Sequence, residues 1–269
     1  MRLVVIGTGK MARALVSGFL SNHILAAEQI HGVSRTECSR DAFLALDHDR
    51  KLSWSNSIPE ALPGADLLLL GVKPQQLAEV LPQLQAAPAD TPLLTLAAGI
   101  KLHHYLHILG PNRRVIRAMP NTPVCLGAGV TAYAATPACS RQNLEWIETL
   151  FRSVGSCYQV EEEQLDAITA LSGSGPAFVY VLIEALARAA VAEGLPYPTA
   201  LPIAAQTALG ASRMLLESGV SPEHLIQQVA SKGGTTEAGL QVLHSSTLAD
   251  ILRQTLHAAA QRSRELFAR

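Results

Sequence analysis

At 269 residues the chain has length for one large domain or two of moderate size, taking roughly 150 residues per domain. With 48% apolar and only 16% charged residues it is no disordered or polyelectrolyte chain, and a formal net charge of −1 gives no bulk attraction to nucleic acid or an anionic membrane. Aromatics at 4% leave Ala, Leu and Val to fill the core, and the shortage of charge suggests apolar faces buried between subunits.

From residue 1 to about 160, short apolar runs alternate with segments of helical period. The runs are Leu3–Ile6, Ile30–Val33, Leu67–Val72, Leu93–Leu96, Val115–Ala118, Gly129–Tyr133 and Cys157–Val160. Bounded by Gly and Pro, they suit buried strands. Between them, Met11, Leu15, Gly18 and Phe19 share a helix face, as do Leu77, Val80, Leu81 and Leu84, and Leu144, Ile147, Leu150 and Phe151. This alternation predicts an α/β domain over 1–160, a parallel sheet with helices on both sides. From 161 to 269 no strand is expected. Val179, Leu182, Ile183 and Leu186 mark one helix, Leu248, Ile251, Leu252 and Leu256 another, and Ser221-Pro222-Glu223 is a helix start.

Cys38, Cys125, Cys139 and Cys157 lack CxxC spacing, so neither a disulfide framework nor a structural zinc site is expected, and buried free thiols are. Leu3–Ile6 is too short for a secretory h-region, and Leu67–Val72 too short for a membrane span. Phe267-Ala268-Arg269 is no peroxisomal or retention signal. A soluble, cytoplasmic protein is expected. His103, His104 and His107 lack the Glu of HExxH and a third ligand, so no metal is expected, and Glu161–Glu163 read as a solvated helix start that would tolerate a structural partner.

Five segments carry chemistry. Gly7-Thr8-Gly9-Lys10-Met11-Ala12 is a GxGxxA that follows a strand and opens a helix. Gly7 permits the tight turn, Gly9 lets a pyrophosphate approach the backbone, and Ala12 lets helix and strand pack closely, so dinucleotide binding is expected. After the second strand, Ser34, Arg35 and Thr36 stand where a free ribose 2′-OH usually meets an acid. Hydroxyls and a guanidinium suit a 2′-phosphate, favouring NADPH, with NADH a weaker alternative. Three further strand ends, Val72-Lys73-Pro74, Ala97-Ala98-Gly99 and the Met119–Pro123 loop with Asn121, are placed on the cofactor side. Leu171–Ala177 interrupts a helical region, with Ser174 as cap and Pro176 in the first turn. Ser231-Lys232-Gly233-Gly234-Thr235-Thr236 leads into a helix whose amides and hydroxyls form an anion site suited to a carboxylate.

The motifs GTGKMA at 7–12, VKP at 72–74, AAG at 97–99, MPNTP at 119–123, LSGSGPA at 171–177 and SKGGTT at 231–236 resemble, in order and spacing, those of the pyrroline-5-carboxylate reductases, from Leu3 to about Leu266. Lys232 departs from the Pro of many members. The resemblance implies a Rossmann domain over 1–160 that binds NADP and a helical substrate-binding and dimerisation domain over 161–269. It implies an oxidoreductase acting on CH-NH donors that reduces 1-pyrroline-5-carboxylate with NADPH to L-proline, the last step of proline biosynthesis. It further implies homodimers that assemble further, commonly into decamers, with the active site completed by two chains. Thr236 carries over onto the Thr near the imine nitrogen, while Ser231, Gly233, Gly234 and Thr235 would hold the carboxylate. Asn56 resembles the Asn beside the adenosine ribose, and Val72, Lys73, Ala97 and Ala98 would line the path to the nicotinamide. Gln228 would approach the cofactor from the partner chain.

Two other readings compete. β-Hydroxyacid dehydrogenases share this architecture but use a Lys on a C-terminal helix, and Lys232, the single lysine after residue 160, lies in a loop. A catalytically silent NADPH sensor would not need the 231–236 loop.

Overall fold

A computed structural model describes residues 1–265, so the Phe267-Ala268-Arg269 terminus lies outside the described residues. Two compact units are present: Met1–Ser174 together with the chain from Ala258, and Gly175–His257. The expected domain edge at 160/161 falls inside the first unit.

The first unit holds strands β1 (Leu3–Ile6), β2 (Ile30–Val33), β3 (Ser53–Ser55), β4 (Leu67–Leu70), β5 (Leu93–Thr95), β6 (Val115–Pro120), β7 (Gly129–Ala135) and β8 (Gly155–Gln159). Its helices are α1 (Lys10–Ser21), α2 (Glu37–Leu44), α3 (Ile58–Ala61), α4 (Leu77–Val80), α5 (Leu102–Leu109), α6 (Arg141–Arg152) and α7 (Leu165–Ile168). The strands form one sheet in the order β3-β2-β1-β4-β5-β6-β7-β8. β1 to β6 are parallel, but β7 pairs antiparallel with β6 and parallel with β8. The sheet is mostly parallel, as expected, with the one antiparallel pairing at β6–β7. Residues 121–128 turn the chain straight back beside β6, with no crossover helix to preserve direction.

The apolar runs are continuous because both sheet faces are covered. On one face Leu3 and Val5 pack with Leu15, Phe19, Ile147 and Phe151. On the other Val4 and Ile6 pack with Leu77, Leu81, Leu102 and Tyr105. β4 repeats the pattern, with Leu67 and Leu69 on the first face and Leu68 and Leu70 on the second. The cysteines are not all buried as expected: Cys38 and Cys125 are exposed, Cys139 and Cys157 half-buried.

The helical region after β8 contains no strand among the described residues. The Leu171–Ala177 segment begins in a π-helical turn, Thr169–Gly173, after α7, is interrupted at Ser174, and enters α8 (Gly175–Ala192) with Pro176 in its first turn, as expected. The second unit comprises α8, α9 (Tyr197–Ser218), α10 (Pro222–Val229), α11 (Thr235–Ser245) and the start of α12 (Leu248–Glu265). Its apolar residues are mostly exposed: only Ala187 and Ala200 are buried, while Val181 is 68% and Leu216 80% exposed. By length and hydropathy alone Glu162–Ala192 could cross a bilayer.

Candidate active site

Strand order reverses on either side of β1, whose neighbours are β2 and β4. In an open α/β sheet such a switch point opens a crevice at the carboxyl ends of the strands. Here it is a cleft of about 500 Å³. Gly7, Thr8 and Gly9 follow β1, Ser34, Arg35 and Thr36 follow β2, Asn56 follows β3, and Gly71, Val72 and Lys73 follow β4. All ten line the cleft.

The β1–α1 turn fits a pyrophosphate. Gly7 has φ +86°, and a Cβ there would stand 2.6 Å from Val72 Cγ1 and 2.8 Å from Val72 N. A Cβ on Gly71 would come within 2.6 Å of the Gly7 carbonyl oxygen and 2.9 Å of Ala12 Cβ. Small residues at Gly7, Ala12 and Gly71 thus let the turn close against β4. At Gly9 a Cβ would meet only Gly71 O, at 3.6 Å, so what glycine leaves there is open backbone. Gly9 gives α1 no side-chain cap, so the first-turn amides at Lys10, Met11 and Ala12 have no intrahelical acceptor. A bound anion would supply one.

The cleft rim is polar. Trp54 Nε1 donates to Ser34 Oγ at 2.9 Å, and the Ser34 amide donates to Ser55 O. Thr36 caps α2, accepting from the Ser39 amide at 3.2 Å. Arg35 points its Nη1 at both carboxylate oxygens of Glu79, 3.0 and 2.8 Å away. Glu79, Gln76 and Gln83 also line the cleft, as does Ser39. The sequence reading missed these four. Exposed polar residues on a following helix look like any solvated face, and no spacing rule points at them.

Other expected cofactor residues are placed elsewhere. Pro74 opens a short helical turn, Pro74–Gln76, beside the cleft. Ala97, Ala98 and Gly99 follow β5, where Thr95 Oγ1 accepts from the Ala97 amide at 3.2 Å. Gly99, with φ +68°, lines a second cavity of about 560 Å³ with Lys101, His103, His104 and Arg117. Asn121 is buried and already engaged: its Nδ2 donates to Ser172 O at 3.0 Å and its Oδ1 accepts from Val130 N at 2.8 Å. It thus ties β6 to the π turn. Glu162 has the structural partner the sequence allowed for, accepting from Leu102 N at 2.7 Å and from buried Arg117 at 3.1 Å.

In the second unit Gln228 is exposed on α10. The loop after α10 turns at Gly233, φ +74°, and leads through Gly234, which provides no side-chain cap, into α11. The Gly233 amide donates to Glu237 Oε2 at 2.6 Å and the Gly234 amide to Ser231 O at 2.9 Å. Among the described residues the hydroxyls of Ser231, Thr235 and Thr236 make no hydrogen bond. Three open hydroxyls beside an uncapped helix start form an anion-accepting surface.

Comparison with known proteins bears on both units. The family model described as pyrroline-5-carboxylate reductase dimerisation matches residues 162–266, and one described as NADP oxidoreductase, coenzyme F420-dependent, matches 2–99. A pyrroline-5-carboxylate reductase of Synechocystis is 38% identical, over 98% of each chain. The solved pyrroline-5-carboxylate reductase of Coxiella burnetii superposes with a TM-score of 0.93 at 34% identity, covering 99% of this chain and 98% of that one. The Plasmodium falciparum pyrroline carboxylate reductase, solved with NADP bound, superposes at 0.84 with 25% identity over 98% and 97%. Near-complete coverage at this identity, together with both halves of the fold, makes the chain a member of the pyrroline-5-carboxylate reductase family.

Proposed function

We propose that this chain reduces the C=N bond of 1-pyrroline-5-carboxylate to L-proline, the last step of proline biosynthesis, using NAD(P)H. The observation that carries the reading is the uncapped start of α11 with its three open hydroxyls, in a chain that also carries a dinucleotide turn.

Gly7, Thr8, Gly9 and the first turn of α1 (Lys10, Met11, Ala12) would hold the pyrophosphate, with Asn56 at the adenosine ribose. Ser34 and Arg35 favour a 2′-phosphate, so NADPH is preferred over NADH. Val72, Lys73, Pro74, Ala97, Ala98 and Gly99 would carry the path towards the nicotinamide, with Gln228 contributed by a partner copy. The reduced nicotinamide supplies a hydride for the imine carbon. An imine is far more electrophilic when protonated, so the protein's task is positioning and a hydrogen bond at nitrogen rather than a strong base. Thr236 takes that position. The substrate carboxylate falls to the Ser231 and Thr235 hydroxyls and the α11 amides. The Gly233 and Gly234 amides are engaged within the loop, so these glycines shape the pocket and reach the carboxylate only once Glu237 or Ser231 O lets go.

The chain assembles with itself. A helical unit in which only Ala187 and Ala200 are buried has no core of its own, and its apolar faces need a second copy. The homodimer, with higher assembly such as a decamer, accounts for the exposure of the Glu162–Ala192 stretch without a membrane. A cytoplasmic location and no nucleic-acid partner complete the reading. Oxidation of NADPH with pyrroline-5-carboxylate as acceptor, against a panel of 2-keto acids, tests it.

A further inference from the structure

The guanidinium expected to read the 2′-phosphate is not waiting free. Arg35 Nη1 lies 3.0 Å from Glu79 Oε1 and 2.8 Å from Oε2, and both side chains are 61% exposed on the wall of the cofactor cleft. An exposed pair of this kind is weak and exchanges readily. The two possible cofactors meet it differently. A 2′-phosphate that takes Arg35 Nη1 must displace the Glu79 carboxylate, and one that takes the other guanidinium donors sits beside it with like charge. A free 2′-hydroxyl is a donor, and Glu79 is an acceptor at the same rim. The end of β2 lacks the acid that usually receives that hydroxyl, whereas Glu79, beyond β4 on α4, brings a carboxylate to the same place from another element.

We propose that Glu79 is a specificity-determining residue for the cofactor: it competes with the 2′-phosphate for Arg35 and accepts from the ribose 2′-hydroxyl of NADH. The chain's preference for NADPH is thereby held down, and NADH remains usable. Lys73 on the same wall keeps a positive charge near the phosphate when Arg35 is paired.

This rests on the cofactor reading of the cleft, and the experiment separates the two. KM for NADPH and for NADH is measured for wild type, Glu79→Gln, Arg35→Gln and the double variant, with pyrroline-5-carboxylate saturating. Removing one like charge about 5 Å from a doubly charged phosphate changes affinity by roughly tenfold in water-like surroundings. Glu79→Gln is therefore expected to lower KM for NADPH by about that factor and to raise KM for NADH; when Arg35 is already Gln the competition is gone and only the direct repulsion remains, so the drop in KM for NADPH is smaller. An NADPH/NADH ratio unchanged in Glu79→Gln, while Arg35→Gln weakens NADPH, overturns the role of Glu79 alone. If Arg35→Gln also leaves both constants unchanged, the cleft is not the 2′-phosphate site and the underlying reading falls with the inference. Both side chains are exposed, so neither substitution threatens the fold.

Discussion

The hydroxyls of Tyr105 and Thr95 lie 2.8 Å apart in the buried core beneath the β5 strand end, and Thr95 Oγ1 also accepts the Ala97 amide. Tyr105 is fully buried, and burial pushes its phenol up to about 12, so it stays neutral and available as a donor. A packed aromatic on α5 thus reaches across the sheet face and fixes the first residue of the Ala97-Ala98-Gly99 loop.

Tyr105→Phe removes one buried hydrogen bond and leaves the ring. Its expected cost is about 1 kcal/mol of unfolding free energy, read as a lower urea midpoint with unchanged slope. If Thr95 needs Tyr105 to hold Ala97, KM for NADPH rises as well. A variant as stable as wild type would show that Thr95 finds another partner.

The sequence places Asn121 among the cofactor residues, whereas in the fold both ends of its amide are occupied. Asn121→Ala strands the Val130 amide and the Ser172 carbonyl, for an expected loss of roughly 2–4 kcal/mol. Denaturant unfolding measures this. A cofactor role would instead show as a raised KM for NADPH in a variant of normal stability.

His31 gives the fold a pH dependence. Its ring sits between Ser53 Oγ, 2.8 Å from Nδ1, and Ser55 Oγ, 3.0 Å from Nε2. Burial first, then the Arg2 charge, hold its pKa below the usual 6.5. The folded state therefore binds this proton less readily than the unfolded state. The resulting stability is fully present above about pH 6.5 and is lost as pH falls from there through the folded pKa. Thermal melts across pH 5 to 8 are expected to show a shallower acid slope for His31→Gln than for wild type. Equal slopes would assign the acid sensitivity to other groups.

These residues show what the sequence could and could not disclose. The GTGKMA turn was legible because its reasons are local: Gly7, Gly9 and Ala12 each answer a backbone need within one turn. The buried strands were legible for a similar reason, since a run such as Leu67–Leu70 has no solvated face to hide it. β3 was missed because Ser53-Trp54-Ser55 is a three-residue edge strand with a single apolar side chain, too short to show an apolar pattern; it pairs with β2 along the backbone ladder, and the His31 ring bonds Ser53 and Ser55 across it. The reversed direction of β7 left no mark in composition. Glu79 and the double engagement of Asn121 depend on residues far apart in sequence, Glu79 on Arg35 and Asn121 on Ser172, and spacing cannot report them.

In the substrate loop, Thr236→Ala is expected to lower kcat by about ten- to a thousandfold, the range for one positioned transition-state hydrogen bond, with NADPH affinity nearly intact. Ser231→Ala is expected to act on KM for the imine, since a carboxylate contact is felt in the ground state too. Steady-state kinetics of the two variants separates these effects. Wild-type constants in both would reduce the 231–236 loop to a helix start and move the search to Ser172–Pro176.

The most direct measurement is NADPH consumption by the purified protein with 1-pyrroline-5-carboxylate as the acceptor, run beside 2-keto acids and followed by chiral analysis of the product. The account predicts NADPH oxidation with the cyclic imine, stoichiometric L-proline, and no turnover of the keto acids. Turnover of a keto acid without the imine, or NADPH binding with no turnover of either, would contradict it.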